Sequence, residues 1–180
     1  MAVDVVEYSP TWPELFAAVA ADLSRALEGV PIQAIEHVGS TAVPGLAAKP
    51  VLDIDVVVDA DDIASAIRAL ATIGYTHTGD LGLSGREALS APDDDPRRHV
   101  YVCVSGSLHL RNHLSVRDVL RRRPDLRERY GAVKLALARD PYIDMTEYVA
   151  GKSDVLQAVL EQSDLTDSER SAIRTMNSAN

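Results

Sequence analysis

The sequence predicts an α/β fold of mixed (α+β) character: a mixed β-sheet flanked by helices, with further helices gathered at the C-terminal end. Three features carry this expectation. Residues 51–58 form the strongest strand pattern in the chain, rich in β-branched side chains. Helix and strand patterns alternate over residues 13–74, and from about 110 to 162 the apolar positions recur at the helical period.

The elements follow in order. Pro13 suits a first helical position, and Leu15, Phe16, Val19, Leu23, Ala26 and Leu27 keep a 3.6-residue period as far as Gly29. Residues 31–38 read as a strand leading into the Gly39-Ser40 turn. Asp61 or Asp62 can cap a helix carrying Ile63, Ala66, Ile67 and Leu70 that stops at Gly74. The middle reads as antiparallel, with strands near Tyr75, at 86–90 and at 98–104, separated by a glycine-rich turn and the acidic loop 92–96. Alternation in the last of these sets Val100, Val102 and Val104 on one face and His99, Tyr101 and Cys103 on the other. Beyond it, Leu126, Tyr130, Val133 and Leu137 form one helical stripe, and Met145, Tyr148, Val149, Leu156 and Val159 another. Residues 163–180 are a polar tail, expected to fray or pack as a loosely held helix.

With 180 residues, 46% of them hydrophobic, the chain fits one domain with a core of Val, Leu, Ile and Ala. A net charge of −9 disfavours nucleic acid as a partner, since phosphate backbones are held by clustered Lys and Arg. No apolar run approaches the roughly 18 residues of a membrane span, and Asp4 and Glu7 stand where a signal peptide would carry basic residues. A cytoplasmic protein is expected. Cys103, the single cysteine, reads as a buried, inert thiol within its apolar strand. The arginines between 111 and 129 could face phosphate but read more simply as a solvated helix face, with Asp118 and Arg122 paired at i, i+4.

The chemistry concentrates between His37 and Asp55. On a strand, Asp53 and Asp55 project from the same face roughly 6.5–7 Å apart. Two charges at that separation repel by about 2.4 kcal/mol at an effective dielectric of ~20, so a cation or water must neutralise them. An all-oxygen ligand set suits Mg²⁺, with Mn²⁺ as the alternative. The small-residue turn upstream can approach phosphates closely, and Lys49 lies between turn and strand. Lys152 falls in the apolar stripe of the last helix and Lys134 beside its own. Each should meet an anion, whether a ligand phosphate or a structural carboxylate, or else snorkel to water. His37 can brace the turn by hydrogen bonding, whereas His109 and His113, spaced i, i+4, read as satisfied or exposed for want of a third ligand.

The string from His37 to Asp55, with Gly39-Ser40 and Asp53-Ile54-Asp55 at its ends, resembles the signature of the nucleotidyltransferase superfamily. It looks closer still to the compact GrpB-like proteins. Further matches are Arg111-Asn112, Val116-Arg117-Asp118, Leu120-Arg121, Pro124, Tyr130, Lys134, Tyr148 and Lys152. The resemblance implies a nucleotidyltransferase-like sheet over residues 1–162. In it Gly39, Ser40 and Thr41 cradle phosphates, Lys49, Lys134 and Lys152 supply charge, and Asp53 and Asp55 hold Mg²⁺. The implied activity moves a nucleoside monophosphate from a nucleoside triphosphate to a small-molecule acceptor. A third carboxylate of the superfamily is missing from residues 97–104, where His99 stands as the candidate third ligand or base. Glu87 or the Asp93–Asp95 run could compensate. The alternative implied by the same resemblance is a noncatalytic nucleotide-binding module, like the domain appended to some dephospho-CoA kinases.

Overall fold

The structure, a computed structural model, describes residues 3–178. It opens with α1 (Trp12–Ala26), which carries Pro13 in its first turn and buries Trp12, Val19 and Leu23. Five strands follow: β1 (Ile32–Val38), β2 (Leu52–Val58), β3 (Thr76–Gly79), β4 (Arg86–Ser90) and β5 (Arg98–Val104). They form one sheet in the order β1-β2-β5-β4-β3, in which β2 and β5 run parallel and every other pair is antiparallel. The parallel pair needs a long crossover, and α2 (Ile63–Ala71) with the β3–β4 hairpin provides it.

One face of the sheet is apolar. Ile54, Val56 and Val58 of β2, with Val100 and Val102 of β5, pack against Val19 and Leu23 of α1 and Ala66 and Leu70 of α2. Burial of each such side chain is worth about 1.5–3 kcal/mol, so this face fixes which residues turn the other way. The opposite face carries Asp53 and Asp55 in register with His99 and Tyr101. Glu87, opposite Val102, belongs to the apolar side and bonds His77 at 2.6 Å. Asp93 bonds Arg98 at 2.8 Å. Neither therefore supplies the missing carboxylate beside Asp53.

The helical region beyond residue 107 is broken into α3 (Leu108–Arg122), α4 (Pro124–Ala138), α5 (Met145–Gly151), α6 (Ser153–Leu160) and α7 (Asp167–Ser178). Ser107 caps α3, Pro124 opens α4, and Asp144 with Glu147 forms a capping box at α5. Lys152 sits at the joint of α5 and α6 rather than within one helix. Met145 is half exposed, outside the stripe expected of it. The arginines are struts: Arg117 bonds Glu36 and Asp118, and Arg121 bonds the Ala42 carbonyl. The expected Asp118–Arg122 pair is replaced by these contacts, and Arg122 donates to the Gln162 carbonyl.

The polar stretch past residue 162 forms α7, which docks through Ile173, fully buried among Leu160 and Leu165. Ala179 and Asn180, at the end of the predicted tail, lie outside the described residues. No helix among the described residues is long and apolar enough to cross a membrane. Ile173→Ala is expected to cost about 2–5 kcal/mol in urea unfolding. A loss near zero would mean that α7 is only loosely attached.

Candidate functional site

The site begins where β1 ends. Gly39 has φ 70° and ψ −170°, a conformation that L side chains rarely adopt, and a Cβ there would lie 2.9 Å from Asp53 Cγ and closer still to its carboxylate. The chain then turns through a 3₁₀ segment, Ser40–Ala42. His37 braces it. Its ring stacks on Phe16 at 4.5 Å, and its Nε2 lies 3.0 Å from Thr41 Oγ1, which donates onward to the Val51 carbonyl. Burial and the Arg121 charge bring His37 down to about 4, so it donates to Thr41 as a neutral ring. Arg121 clamps the far end of the turn with two N–H groups on the Ala42 carbonyl, at 3.0 and 2.7 Å.

Beside the turn lies a cavity of about 210 Å³. Ser40, Thr41 and Lys49 line one side, Asp53 and His99 the sheet side, and Lys134, Tyr148 and Lys152 the helical side. Seven of the nine residues expected at a site thus meet around one space. Gly39 packs directly behind it against Asp53. Asp55 does not reach the cavity: it is wholly buried one step further along β2, and His113 Nδ1 lies 2.9 Å from its Oδ2. The two acids share a face of the sheet but not an environment, because α3 covers the Asp55 end of that face and leaves the Asp53 end open.

Charge in the cavity is lopsided. Lys134 is 2% exposed and donates to Ser40 Oγ at 2.8 Å. Burial and the neighbouring Lys152 and Lys49 charges bring its pKa down to about 7, against the pull of Asp53. Lys49 is lowered by burial and by Lys152, and Lys152 by burial. Tyr148 offers its ring to both Lys49 and Lys152, at 5.6 and 5.0 Å, and Tyr130 to Lys134 at 4.5 Å. Burial works to raise Asp53, yet the hydrogen bond from His99 and the charges of His99, His113 and Lys49 hold it below the ordinary carboxylate range. His99 Nδ1 stands 3.0 Å from Asp53 Oδ1. Three lysines, Lys134 among them only partly protonated near pH 7, facing one open carboxylate leave room for an anion carrying more than one charge.

A larger cavity of about 630 Å³ lies between α1 and the 92–98 loop, but its Arg98 is already held by Asp93 and Tyr75. The role of His113 was not read from sequence. Its i, i+4 spacing from His109 was visible, but the carboxylate it meets comes from a strand 58 residues away. Tyr130, in turn, reads as core by its stripe and also flanks Lys134.

The GrpB protein family model matches residues 2–162. The chain belongs to the GrpB family. A UPF0157 protein of Halalkalibacterium halodurans is 33% identical over 91% of this chain and 84% of its own length. A crystal structure of the conserved protein GrpB from Enterococcus faecalis superposes with a TM-score of 0.76 at 31% identity, covering 88% of this chain and 98% of that one. A dephospho-CoA kinase of Mycolicibacterium paratuberculosis is 30% identical over 83% of this chain, which spans 43% of that protein.

The lysine pKa values carry a consequence for stability. Lys134 is brought down to about 7 in the folded GrpB chain, against the ordinary lysine value of 10.5 when unfolded. Between these values the unfolded chain holds the extra proton, so this group's penalty on folding is full below pH 7 and fades as pH rises toward 10.5. Lys134→Met is therefore expected to stabilise the ligand-free protein by about 1–2 kcal/mol at pH 6 and by progressively less toward pH 10, read from urea midpoints. A destabilised variant at pH 6 would count against this electrostatic picture.

Proposed function

We propose that this GrpB chain binds the triphosphate of a nucleoside triphosphate in the lysine cavity and transfers the nucleotidyl group to a small hydroxyl-bearing acceptor. The single observation that supports this most is the convergence of Lys49, Lys134, Lys152 and Ser40 on a cavity with one open carboxylate. A triphosphate can meet three converging lysines at once, one buried and two partly buried, which a monoanion does not. Lys134 already donates to Ser40, so an arriving phosphate oxygen meets an ammonium and a hydroxyl held in fixed relation.

The donors around Asp53 fit Mg²⁺ or Mn²⁺. Asp53 offers carboxylate oxygens, its side chain is 31% exposed, and Gly39 carries no Cβ to press on it. Such an ion takes one or two carboxylates and completes its shell with water and substrate phosphates, and Asp53 would hold it here. When bound it would neutralise phosphate charge and polarise the transferring group. His99 has a separate task. With Nδ1 engaged by Asp53, it presents its other ring nitrogen as a base for an acceptor hydroxyl. A cavity of about 420 Å³ on the other side of His99, reaching Tyr101, Leu89 and Thr78, has space for that acceptor.

A second reading, a module that binds nucleotide without turnover, is favoured by one feature: Asp55 is buried against His113, so a single carboxylate faces the cavity. The relative that carries such a segment within a dephospho-CoA kinase is compatible with a supporting role. The experiment that separates the two measures pyrophosphate release from each nucleoside triphosphate with Mg²⁺ or Mn²⁺, alongside calorimetric binding. Release that Asp53→Asn lowers at least 100-fold is expected for the enzyme. Binding without release indicates the module, and no binding overturns both. At pH 8, binding is expected to take up close to one proton, because the triphosphate restores charge to Lys134. Uptake that persists in Lys134→Met would remove that lysine from the phosphate site.

A further inference from the structure

Among the described residues four buried side-chain atoms have no hydrogen-bond partner, Asp55 Oδ1, His109 Nε2, Arg86 Nε and Asn112 Oδ1, and the first two lie together under α3, below the lysine cavity. Asp55 is wholly buried and His109 is 5% exposed. A buried acceptor left unpaired costs about 1–3 kcal/mol, more when charged, so two in one place call for a shared partner. Between them lies Cys103, also fully buried, two residues beyond Tyr101 on β5. Ligand atoms of Asp55, Cys103 and His109 all lie within 4.8 Å of one another. The thiol faces the carboxylate, but S–H is too weak a donor to satisfy it.

We propose that Asp55, Cys103 and His109 form an inner site for a divalent metal ion of the zinc class, distinct from the nucleotide cavity. Carboxylate, thiolate and imidazole are the three ligand types that zinc combines, whereas Mg²⁺ takes oxygen alone. On binding, the Cys103 thiol gives up its proton to solvent, and the ion, thiolate and carboxylate together make a neutral centre that a buried space tolerates. Three protein ligands leave the fourth tetrahedral position to water. His109 is buried with its Nε2 unpaired, so a neutral ring there keeps a lone pair for a metal.

The surroundings are those of a metal site. His113 Nδ1 on Asp55 Oδ2 orients the carboxylate and leaves the other oxygen free to ligate. Rings of His113 at 4.0 Å and Tyr101 at 5.8 Å fix the plane of His109. Val57, Leu110 and Leu114 pack around Cys103. Arg86, facing from β4 with its guanidinium 4.7 Å from the Tyr101 ring centroid, and His113, whose pKa burial works to lower but the Asp55 carboxylate raises overall, are two cationic groups that work against the ion. Its role is a clasp, since the ligands come from β2, β5 and α3 and the ion would tie the helix to the sheet.

Cobalt(II) serves as the probe, because a thiolate ligand gives it a near-ultraviolet charge-transfer band that oxygen and nitrogen ligands do not. The 180-residue chain is refolded from urea with Co²⁺, so that burial is no barrier to loading. One equivalent bound with this band is expected, together with its displacement by Zn²⁺. Cys103→Ala, a small apolar replacement, should fold and lose the band, and His109→Gln should weaken Co²⁺ binding at least tenfold. Asp53→Asn and Lys134→Met should keep the band, which separates this site from the nucleotide cavity. A refolded wild-type protein without the band, or a band that survives in Cys103→Ala, would overturn the proposal.

Discussion

Lys49, Lys134 and Lys152 come from the loop before β2, from α4 and from the α5–α6 joint, and the carboxylate they share is Asp53. Repulsion among them opposes folding, and the scaffold must hold them together against it. Tyr130 and Tyr148 return part of that energy through their ring faces, and Ser40 accepts from Lys134. What remains uncompensated is available to any ligand that brings negative charge. A site assembled this way gains affinity by relieving strain already present in the empty protein, as binding to the folded state alone also raises its stability.

The second constraint is the parallel pairing of β2 with β5. It sets Asp53 beside His99 and Asp55 beside Tyr101, and the apolar packing of Ile54, Val56, Val100 and Val102 forbids a one-residue slip. Because α3 roofs only one end of the polar face, two acids a single residue apart acquire opposite surroundings. Asp53 keeps an opening to the cavity, and Asp55 meets His113 in the interior. The i, i+2 spacing alone cannot distinguish these fates, since what differs is the helix lying above.

This explains which parts could be read from the chain itself. The strands, their facing and the seven residues that meet around the cavity follow from local periodicity and from the motif between His37 and Asp55, where sequence neighbours are also neighbours in space. Lys134 and Lys152 were visible as cations in apolar company, which is a local signal too, although Lys152 occupies a joint that Gly151 creates by packing its bare Cα against Leu137. Long-range pairings left no such trace. His113 with Asp55, Arg121 with the Ala42 carbonyl and Ile173 with Leu160 each join distant segments. A polar tail can dock through one well-placed isoleucine, and average composition hides it.

The same geometry bears on the order in which ligands arrive. A divalent cation approaching the empty cavity meets one open carboxylate, already hydrogen-bonded to His99, and the repulsion of Lys49, Lys152 and a partly protonated Lys134. For a divalent ion at an effective dielectric of ~20 and a separation of about 5 Å, each full unit charge repels it by roughly 7 kcal/mol, the same size as the attraction Asp53 offers. The metal on its own is therefore held weakly. A triphosphate reverses the balance by neutralising the lysines and contributing its own oxygens to the ion. On this charge count the ion enters with the nucleotide, and the lysines that exclude it alone are the groups that recruit the pair.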